Sequence, residues 1–204
     1  MGYLNRILRI PFNLKNRRKL RNCSFSLIAN NCIGSFICHD LGLQFKSPFV
    51  NLWIKSDDYL KLLNDLEGYL QTELQFIKED HIAYPVGLLR DVKIYFQHYA
   101  TEEAARQKWN QRLSRLDFGN LYVLFVEIEG TSYENLSAFD QLPFPNKIML
   151  THKEYPEFQS AFPIFRYEKT GYVGPYYHYK NKFTGIREYD VFDYVSWFNT
   201  GTDI

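Results

Sequence analysis

Polar side chains that could do chemistry follow the first apolar segment of the chain. The run FSLIANNCIG, residues 25–34, passes from apolar residues into Asn30, Asn31 and Cys32 at the start of a predicted helix. In open α/β sheets, ligands bind beyond the carboxyl ends of the strands, and a helix start offers free amide groups to an anion. Asn30 and Asn31 could therefore bind a sugar or phosphate. The alternative is a turn only, because asparagine adopts turn conformations for local reasons.

Cys32 is a candidate nucleophile, since a helix N-terminus can lower the pKa of a thiol. It could equally be a small packed residue, because no neighbouring sequence indicates a Cys-His dyad. The segment contains neither GxGxxG nor GxxxxGK[ST], so no dinucleotide or P-loop cradle is predicted. His39 and Asp40, at the far end of the same helix, could be a functional pair or only the C-terminal cap before Leu41 and Gly42.

A second group of candidates comes from residues 91–117. His98 and Tyr99 follow a predicted strand, and neutral histidine can accept a proton from a substrate hydroxyl near pH 7. Lys108, Arg112 and Arg115 recur at helical spacing, so they share one face of the next predicted helix. Three cations on one face could hold a diphosphate, although a solvated face or pairing with acidic residues would give the same pattern.

Other polar residues also follow predicted strands, and two of them resemble a metal site. They are Lys55 to Asp58, Glu127, Glu129, Thr151 and His152. The spacing of Glu127 and Glu129 resembles the paired acids with which many sugar-nucleotide-dependent glycosyltransferases hold a divalent cation. The same spacing arises when one strand face is solvated, and the histidines are dispersed without an HExxH motif. No resident metal is predicted, and a divalent cation remains a weaker alternative.

Apolar runs of strand length alternate with amphipathic stretches of helix length, as in βα units. This pattern predicts a three-layer α/β/α fold whose mainly parallel strands form one layer. The predicted strands are 24–30, 48–54, 91–98, 121–128 and 146–151. The predicted helices are 33–41, 57–75, 101–117 and 132–141.

Composition divides the 204 residues into a basic arm, residues 1–22, and a single α/β domain, residues 23–204. Within the domain, residues 156–204 are rich in aromatic residues and are predicted to be an extension or lid. Two short strands are expected there around residues 181–185, followed by a short helix or turn at 193–198. The rings could stack on sugars, but dense rings more often fill a core.

The basic arm carries seven Lys or Arg and no acid, although the whole chain has a formal charge of only +1. Its Leu, Ile and Phe residues are mixed with the basic ones, which is typical of a segment on an anionic membrane surface. A frayed arm, or one folded back on the acidic body, would be the alternatives. Nucleic acid is not an expected partner, because the basicity is confined to one end.

The chain has no apolar run near the ~18 residues that cross a bilayer, and its beginning does not resemble a signal peptide. Its three cysteines show no spacing typical of a disulfide framework or a zinc site. These features predict a cytoplasmic protein with a peripheral position on the inner face of the cytoplasmic membrane.

Three motifs occur in order along residues 24–156. They are ANNCIGS, residues 29–35, followed by LGL and SP; YPVGLLRD, residues 84–91, leading to His98 and Tyr99; and KWNQR, residues 108–112. Together they resemble a bacterial family of uncharacterised domains labelled exopolysaccharide or capsular polysaccharide biosynthesis proteins. Ala29, Ile33 and Ser35 depart from the family pattern SNNCWGG, which puts in doubt any role that needs the aromatic ring.

The resemblance implies a place in surface-polysaccharide biosynthesis. The leading interpretation is a transferase, most simply glycosyltransferase-like, acting on a nucleotide-linked or lipid-diphosphate-linked sugar. Asn30 and Asn31 would orient the ligand, Lys108 and Arg112 would compensate phosphate charge, and His98 would be the base. One alternative is a non-catalytic glycan-binding or scaffold protein at the membrane, with other glycan-assembly proteins as partners. Another is an acyl- or phosphoryl-transferase that decorates the glycan. Whether the protein is an enzyme stays open.

Overall fold

A computed structural model describes residues 3–201. Residues 1 and 2 of the predicted basic arm and residues 202–204 of the predicted extension lie outside the described residues. The strands are β1 (Ser26–Ala29), β2 (Gln75–Ile77), β3 (Val86–Leu89), β4 (Val92–Tyr95), β5 (Leu121–Val126), β6 (Lys147–Thr151) and β7 (Ala161–Pro163). The helices are α1 (Tyr3–Lys19), α2 (Ile33–Leu41), α3 (Ser56–Asn64), α4 (Leu66–Leu70), α5 (Glu102–Leu113), α6 (Tyr133–Asp140) and α7 (Tyr194–Thr200). Short 3₁₀ helices occur at Phe118–Asn120, Phe165–Tyr167 and Glu188–Val191.

The main sheet is parallel throughout, in the order β1-β5-β6-β7. All six residues of the central strand β5 are buried, because both of its faces are covered. Ile28, Val123 and Phe125 point to one core, which contains residues of α3, α5 and α6. Leu27, Leu124 and Val126 point to the other core, which contains residues of α2 and α7. The predicted three-layer α/β class with a mainly parallel sheet is confirmed.

The prediction that five strands form one layer is wrong. Strand β4 pairs antiparallel with β3, and β3 with β2, in a separate three-stranded sheet. Arg90, at φ 50°, and Asp91 close a two-residue turn between β3 and β4, so local pairing replaces a crossover to the main sheet. The predicted strand 48–54 contributes only an isolated bridge from Trp53 to Tyr95, and Asn51 within it adopts a left-handed φ of 59°.

The helices agree better with the sequence, because their ends carry chemical signals. Helix α2 coincides with the predicted 33–41. Thr101 caps α5 by accepting a hydrogen bond from the backbone N of Ala104, and Ser132 with Asn135 forms a capping box on α6. The predicted helix 57–75 is too long. The helical segment is interrupted at Asp65, between α3 and α4, and the chain then forms β2.

The C-terminal part contributes several aromatic rings to the core. Among its buried aromatic rings, Phe198 stacks on Phe25 with 3.9 Å between ring centroids. Strand β7 was not predicted, because its three residues carry no usable period. The expected strands around residues 181–185 are wrong; they reduce to one bridge between Tyr179 and Arg187. The helix expected at 193–198 corresponds to α7.

The basic arm forms α1, whose buried Arg9 joins three parts of the chain. Its guanidinium group donates to the carboxylates of Asp40 in α2 and of Asp190, the latter at 2.7 Å. It also donates to the Gly185 carbonyl oxygen at 2.7 Å and to the Tyr189 hydroxyl at 2.8 Å. The helix therefore lies against α2 and the C-terminal segment.

Replacing Arg9 by Ala should strongly destabilise the fold, because it leaves two carboxylates buried without their cation. Breaking such a pair costs about 3–5 kcal/mol, to be measured by urea unfolding at pH 7. Arg18→Ala, an exposed change on the same helix, is the control and should stay within about 0.5 kcal/mol of the parent.

The destabilisation caused by Arg9→Ala should become smaller as the pH falls. Burial pushes the pKa of Asp40 upward, but the hydrogen bonds and charge of Arg9 outweigh it, so the pKa lies below its ordinary 3.8. The stabilisation is therefore present above pH 3.8 and is lost as the pH falls through the folded-state value. The stability difference between wild type and Arg9→Ala should narrow in acid. An equal difference at pH 7 and pH 3 would contradict this role.

Candidate functional site

Asn30 stands at the carboxyl end of β1 and ties it to β5. Its side-chain amide donates to the Val126 carbonyl oxygen at 2.8 Å, and its side-chain oxygen accepts from the Val126 backbone N at 2.9 Å. The Asn30 backbone oxygen accepts from the backbone N of Ile54. The side chain is fully buried, so it fixes the strand ends, and its direct contact with a ligand remains a prediction.

Asn31 shapes the turn into α2. Its side-chain oxygen accepts a hydrogen bond from the backbone N of Ile33 at 3.0 Å. Its side-chain nitrogen is buried and, among the described residues, has no hydrogen-bond partner. Leaving a donor in this state costs about 1–3 kcal/mol. The corner therefore holds an unsatisfied donor directly before Cys32.

Cys32 and His98 meet at this corner, although 66 positions separate them in the chain. The Cys32 Sγ lies 3.4 Å from the His98 Nε2 and 3.8 Å from the carbonyl oxygen of Leu52. The bridge between Trp53 and Tyr95 brings the end of the β3–β4 hairpin to this place, and His98 follows that hairpin. The arrangement is a Cys-His pair at the start of a helix.

The Cys32 thiol keeps its proton near pH 7. Burial raises the pKa of the Cys32 thiol to about 11, so the helix start does not hold a thiolate there. His98 is exposed. Forming a thiolate near pH 7 would require a base, and the His98 imidazole is the group in contact with the sulfur.

Arg112 is joined to the segment that carries His98 through its contact with Tyr99. Its Nη1 donates to the Tyr99 hydroxyl at 2.7 Å and to the Val50 carbonyl oxygen at 3.3 Å, and its guanidinium lies over the Phe45 ring. These partners are neutral, so they orient the group without cancelling its charge. Tyr99 directly follows His98, so Arg112 is bonded to the residue next to the histidine of the Cys-His pair.

The other two cations of the α5 pattern have different surroundings. Lys108 is exposed and donates to the Gln111 side chain within its own helix at 3.2 Å. Arg115 is half-buried beyond the end of α5, where its backbone N bonds the Arg112 carbonyl oxygen. The structure thus brings together Cys32, His98, Tyr99 and Arg112, and ligand contacts by Lys108 and Arg115 remain predictions.

Aromatic residues of the C-terminal part cover the corner. The pKa of Tyr176 is raised by burial and, to a smaller extent, by the adjacent Cys32 thiol. The Tyr176 and Tyr177 rings lie 6.5 and 6.1 Å from the Phe36 ring in α2. Sequence reasoning did not single out Tyr176, because nothing in the spacing distinguishes it from its aromatic neighbours.

A cleft of about 660 Å³ runs from α2 toward α1. Ser35 and Phe36, one turn after Cys32, line the cleft together with Asn51 and Arg187. The Arg187 guanidinium lies over the Phe36 and Tyr179 rings at 4.9 and 5.5 Å. Its Nε is buried and, within residues 3–201, has no hydrogen-bond partner. The cleft therefore combines aromatic walls with a cation, and sequence reasoning missed both Asn51 and Arg187.

Of the remaining candidates, Glu127, His152 and Asp40 are engaged in internal contacts. The Glu127 carboxylate is buried and accepts from the backbone N and ring Nδ1 of His152, both at 2.8 Å, while Glu129 is exposed. Asp40, adjacent to the exposed His39, is the partner of Arg9. Residues 3–201 contain no group of three or more His, Cys, Asp or Glu side chains placed to hold a metal ion.

The fold and this corner define an α/β protein with a candidate site at the carboxyl edge of a parallel sheet. The chain belongs to the DUF1919 family, described as a domain of unknown function, whose model matches residues 3–199. An uncharacterized protein from Haemophilus influenzae is 41% identical over 196 residues, which cover 96% of this chain and 94% of the relative. The resemblance to a family of uncharacterised domains is thereby confirmed.

The reactivity of Cys32 should follow its raised pKa. Alkylation of Cys32 by iodoacetamide should be at least ~10-fold slower at pH 7.5 than alkylation of the exposed Cys23, and should accelerate toward pH 11, because the thiolate is the nucleophile. Peptide mass spectrometry measures both residues in one sample. In urea the two rates should converge. Rapid Cys32 labelling at pH 7.5 in the folded protein would contradict the raised pKa of the thiol.

Proposed function

We propose that the protein is a transferase of bacterial surface-polysaccharide assembly that passes an acyl group through Cys32. The observation that carries the transfer chemistry is the 3.4 Å contact between the Cys32 Sγ and the His98 Nε2. The glycan setting rests on the resemblance of the three sequence motifs. This choice favours acyl transfer over the glycosyl transfer expected from sequence, because the imidazole that would serve as base lies against a thiol.

The reaction would proceed in two balanced steps. His98 accepts the Cys32 proton, and the sulfur attacks the carbonyl carbon of an acyl thioester; the new C–S bond forms, the donor C–S bond breaks, and the leaving thiolate takes the proton from His98. In the second step His98 accepts the proton of a sugar hydroxyl. The sugar oxygen attacks the acyl-cysteine, a C–O bond forms, and Cys32 leaves and regains its proton.

The surrounding groups suit an anionic substrate. The charge of Arg112 is oriented by Tyr99 and Val50 and is free to attract a phosphate of the donor or the acceptor. The unpaired side-chain nitrogen of Asn31 could donate to the oxyanion of the tetrahedral intermediate. Because this nitrogen is sealed from solvent, it would act only after the neighbouring side chains shift.

Glycosyl transfer is the second candidate, favoured by the exposure of His98. Here the imidazole would take the proton of an acceptor hydroxyl directly, and Arg112 would compensate the charge of a nucleotide-linked or lipid-linked diphosphate. Cys32 would then be a packing residue with no covalent role.

Incubation with an acyl-coenzyme A donor tests the leading candidate. The protein should gain the acyl mass on Cys32, labile to hydroxylamine, as measured by intact and peptide mass spectrometry. Cys32→Ala should remain unlabelled, whereas Cys23→Ala, the matched exposed cysteine, should label as the wild type. His98→Ala should slow labelling by about 10²-fold or more, the range of a general base.

The outcome separates the alternatives. If Cys32→Ala keeps transfer from a nucleotide sugar while His98→Ala loses it, glycosyl transfer is correct and the acyl proposal is wrong. If neither donor class reacts, but the protein binds glycans, the non-catalytic alternative is favoured.

A further inference from the structure

Helix α1 is amphipathic, but its apolar side faces away from the protein body and its polar side faces toward it. At about 100° per residue, its apolar side chains form one stripe, and this stripe faces outward. Its large side chains are between 45% and 81% exposed: Tyr3, Leu4, Ile7, Ile10 and Leu14. A helix on a globular core normally buries this side. The structure therefore presents an apolar helix face that nothing in residues 3–201 covers.

The polar side of α1 is fixed to the body and cannot easily turn outward. Besides Arg9, Asn5 donates to the carbonyl oxygens of Asn181 and Thr184, and Asn16 donates to the Tyr194 hydroxyl at 3.0 Å. At Gly185 a Cβ atom would collide with the backbone of α1, so the two chains touch without an intervening side chain. The outward direction of the apolar stripe is thus built into the fold.

The charged residues around the apolar stripe indicate which kind of partner could bind there. Arg6 and Lys15 flank it on opposite sides, and Arg18 continues it beyond Leu14; all three are exposed. Residues 1–22 contain no acid. A second copy placed on this face would bring like charges together, which opposes self-association. An anionic lipid surface offers both an apolar interior and negative headgroups.

We infer that α1 docks the protein on an anionic membrane surface, with its apolar stripe inserted at the level of the headgroups and its basic residues on lipid phosphates. The 17-residue helix would lie in the plane of the interface. No helix among the described residues has the length and hydropathy needed to cross a bilayer. Phe183, 82% exposed, adds a further apolar side chain next to Lys182 in the loop that Asn5 holds.

Co-sedimentation of the full chain with vesicles tests this docking. Wild type should bind phosphatidylcholine vesicles containing phosphatidylglycerol at least ~10-fold more tightly than vesicles of phosphatidylcholine alone, and added salt should weaken the binding. Ile7→Asp with Leu14→Asp should lower the affinity at least ~10-fold. Lys15→Glu with Arg18→Glu should do the same.

The control is Tyr133→Asp, which removes an exposed ring from α6, a helix on the opposite side of the sheet from α2. It should bind vesicles as wild type does. All variants alter exposed positions, so thermal unfolding should confirm that they fold. Truncation of α1 is not a suitable test, because it would remove the buried Arg9 and destabilise the fold. Binding that persists in both double variants would overturn the proposal.

Light scattering tests the competing occupant, a second copy. A wild-type dimer that Ile7→Asp with Leu14→Asp converts to a monomer would also overturn the proposal. Failure of the docking is separable from failure of the transferase, because acyl labelling of Cys32 is measured without vesicles.

Discussion

The fold depends on one buried cation held between two carboxylates. Arg9 binds Asp40 at the end of α2 and Asp190 in the C-terminal segment, and the Tyr189 hydroxyl donates to Asp40 at 2.7 Å. Desolvating these charges is expensive, and only their mutual pairing and hydrogen bonds compensate. Helix α1, helix α2 and the C-terminal segment are consequently held in one arrangement. Arg187, 3.6 Å from Asp40, extends the same network to the wall of the cleft.

The candidate site follows from where two sheets meet. The parallel sheet delivers Asn30 to its carboxyl edge, and the pairing of Asn30 with Val126 fixes the turn that begins α2. The antiparallel hairpin delivers His98 to the same edge. Closure of the corner has a chemical consequence, because the burial that holds Cys32 in place also disfavours its thiolate. Under the proposed function, reactivity at Cys32 therefore depends on His98.

Sequence patterns predicted the parts that local chemistry controls. Helix α2 was predicted to the residue, and the buried strand β5 was recognisable as an apolar run with glycine before and after it. The rule that polar residues after strands converge brought Cys32 and His98 into one candidate set, even though His98 reaches the corner on an antiparallel hairpin. The apolar spacing of 91–98 fits a parallel or an antiparallel sheet. The local signal for antiparallel pairing was the turn at Arg90.

Other features escaped because they depend on distant pairings. The basic residues before position 22 looked alike, and nothing local distinguishes the buried Arg9 from the exposed Arg6 or Arg18. Its partners are acids far along the chain. Likewise, Tyr176 and Arg187 acquire their positions from the packing of the C-terminal segment on α2, which has no signature at helical or strand spacing.

The pairing of Arg9 also orders events during synthesis. Its acceptors Gly185 and Asp190 lie 176 and 181 residues further along the chain. Helix α1 is made shortly before α2, which supplies Asp40, and long before the C-terminal segment, which supplies the other acceptors of its polar side. Domains tend to fold as they emerge, yet the contacts of this helix are complete only when nearly the whole chain is available. Completion of its docking is therefore a late, non-local step, and until then the polar side of α1 has only part of its partners.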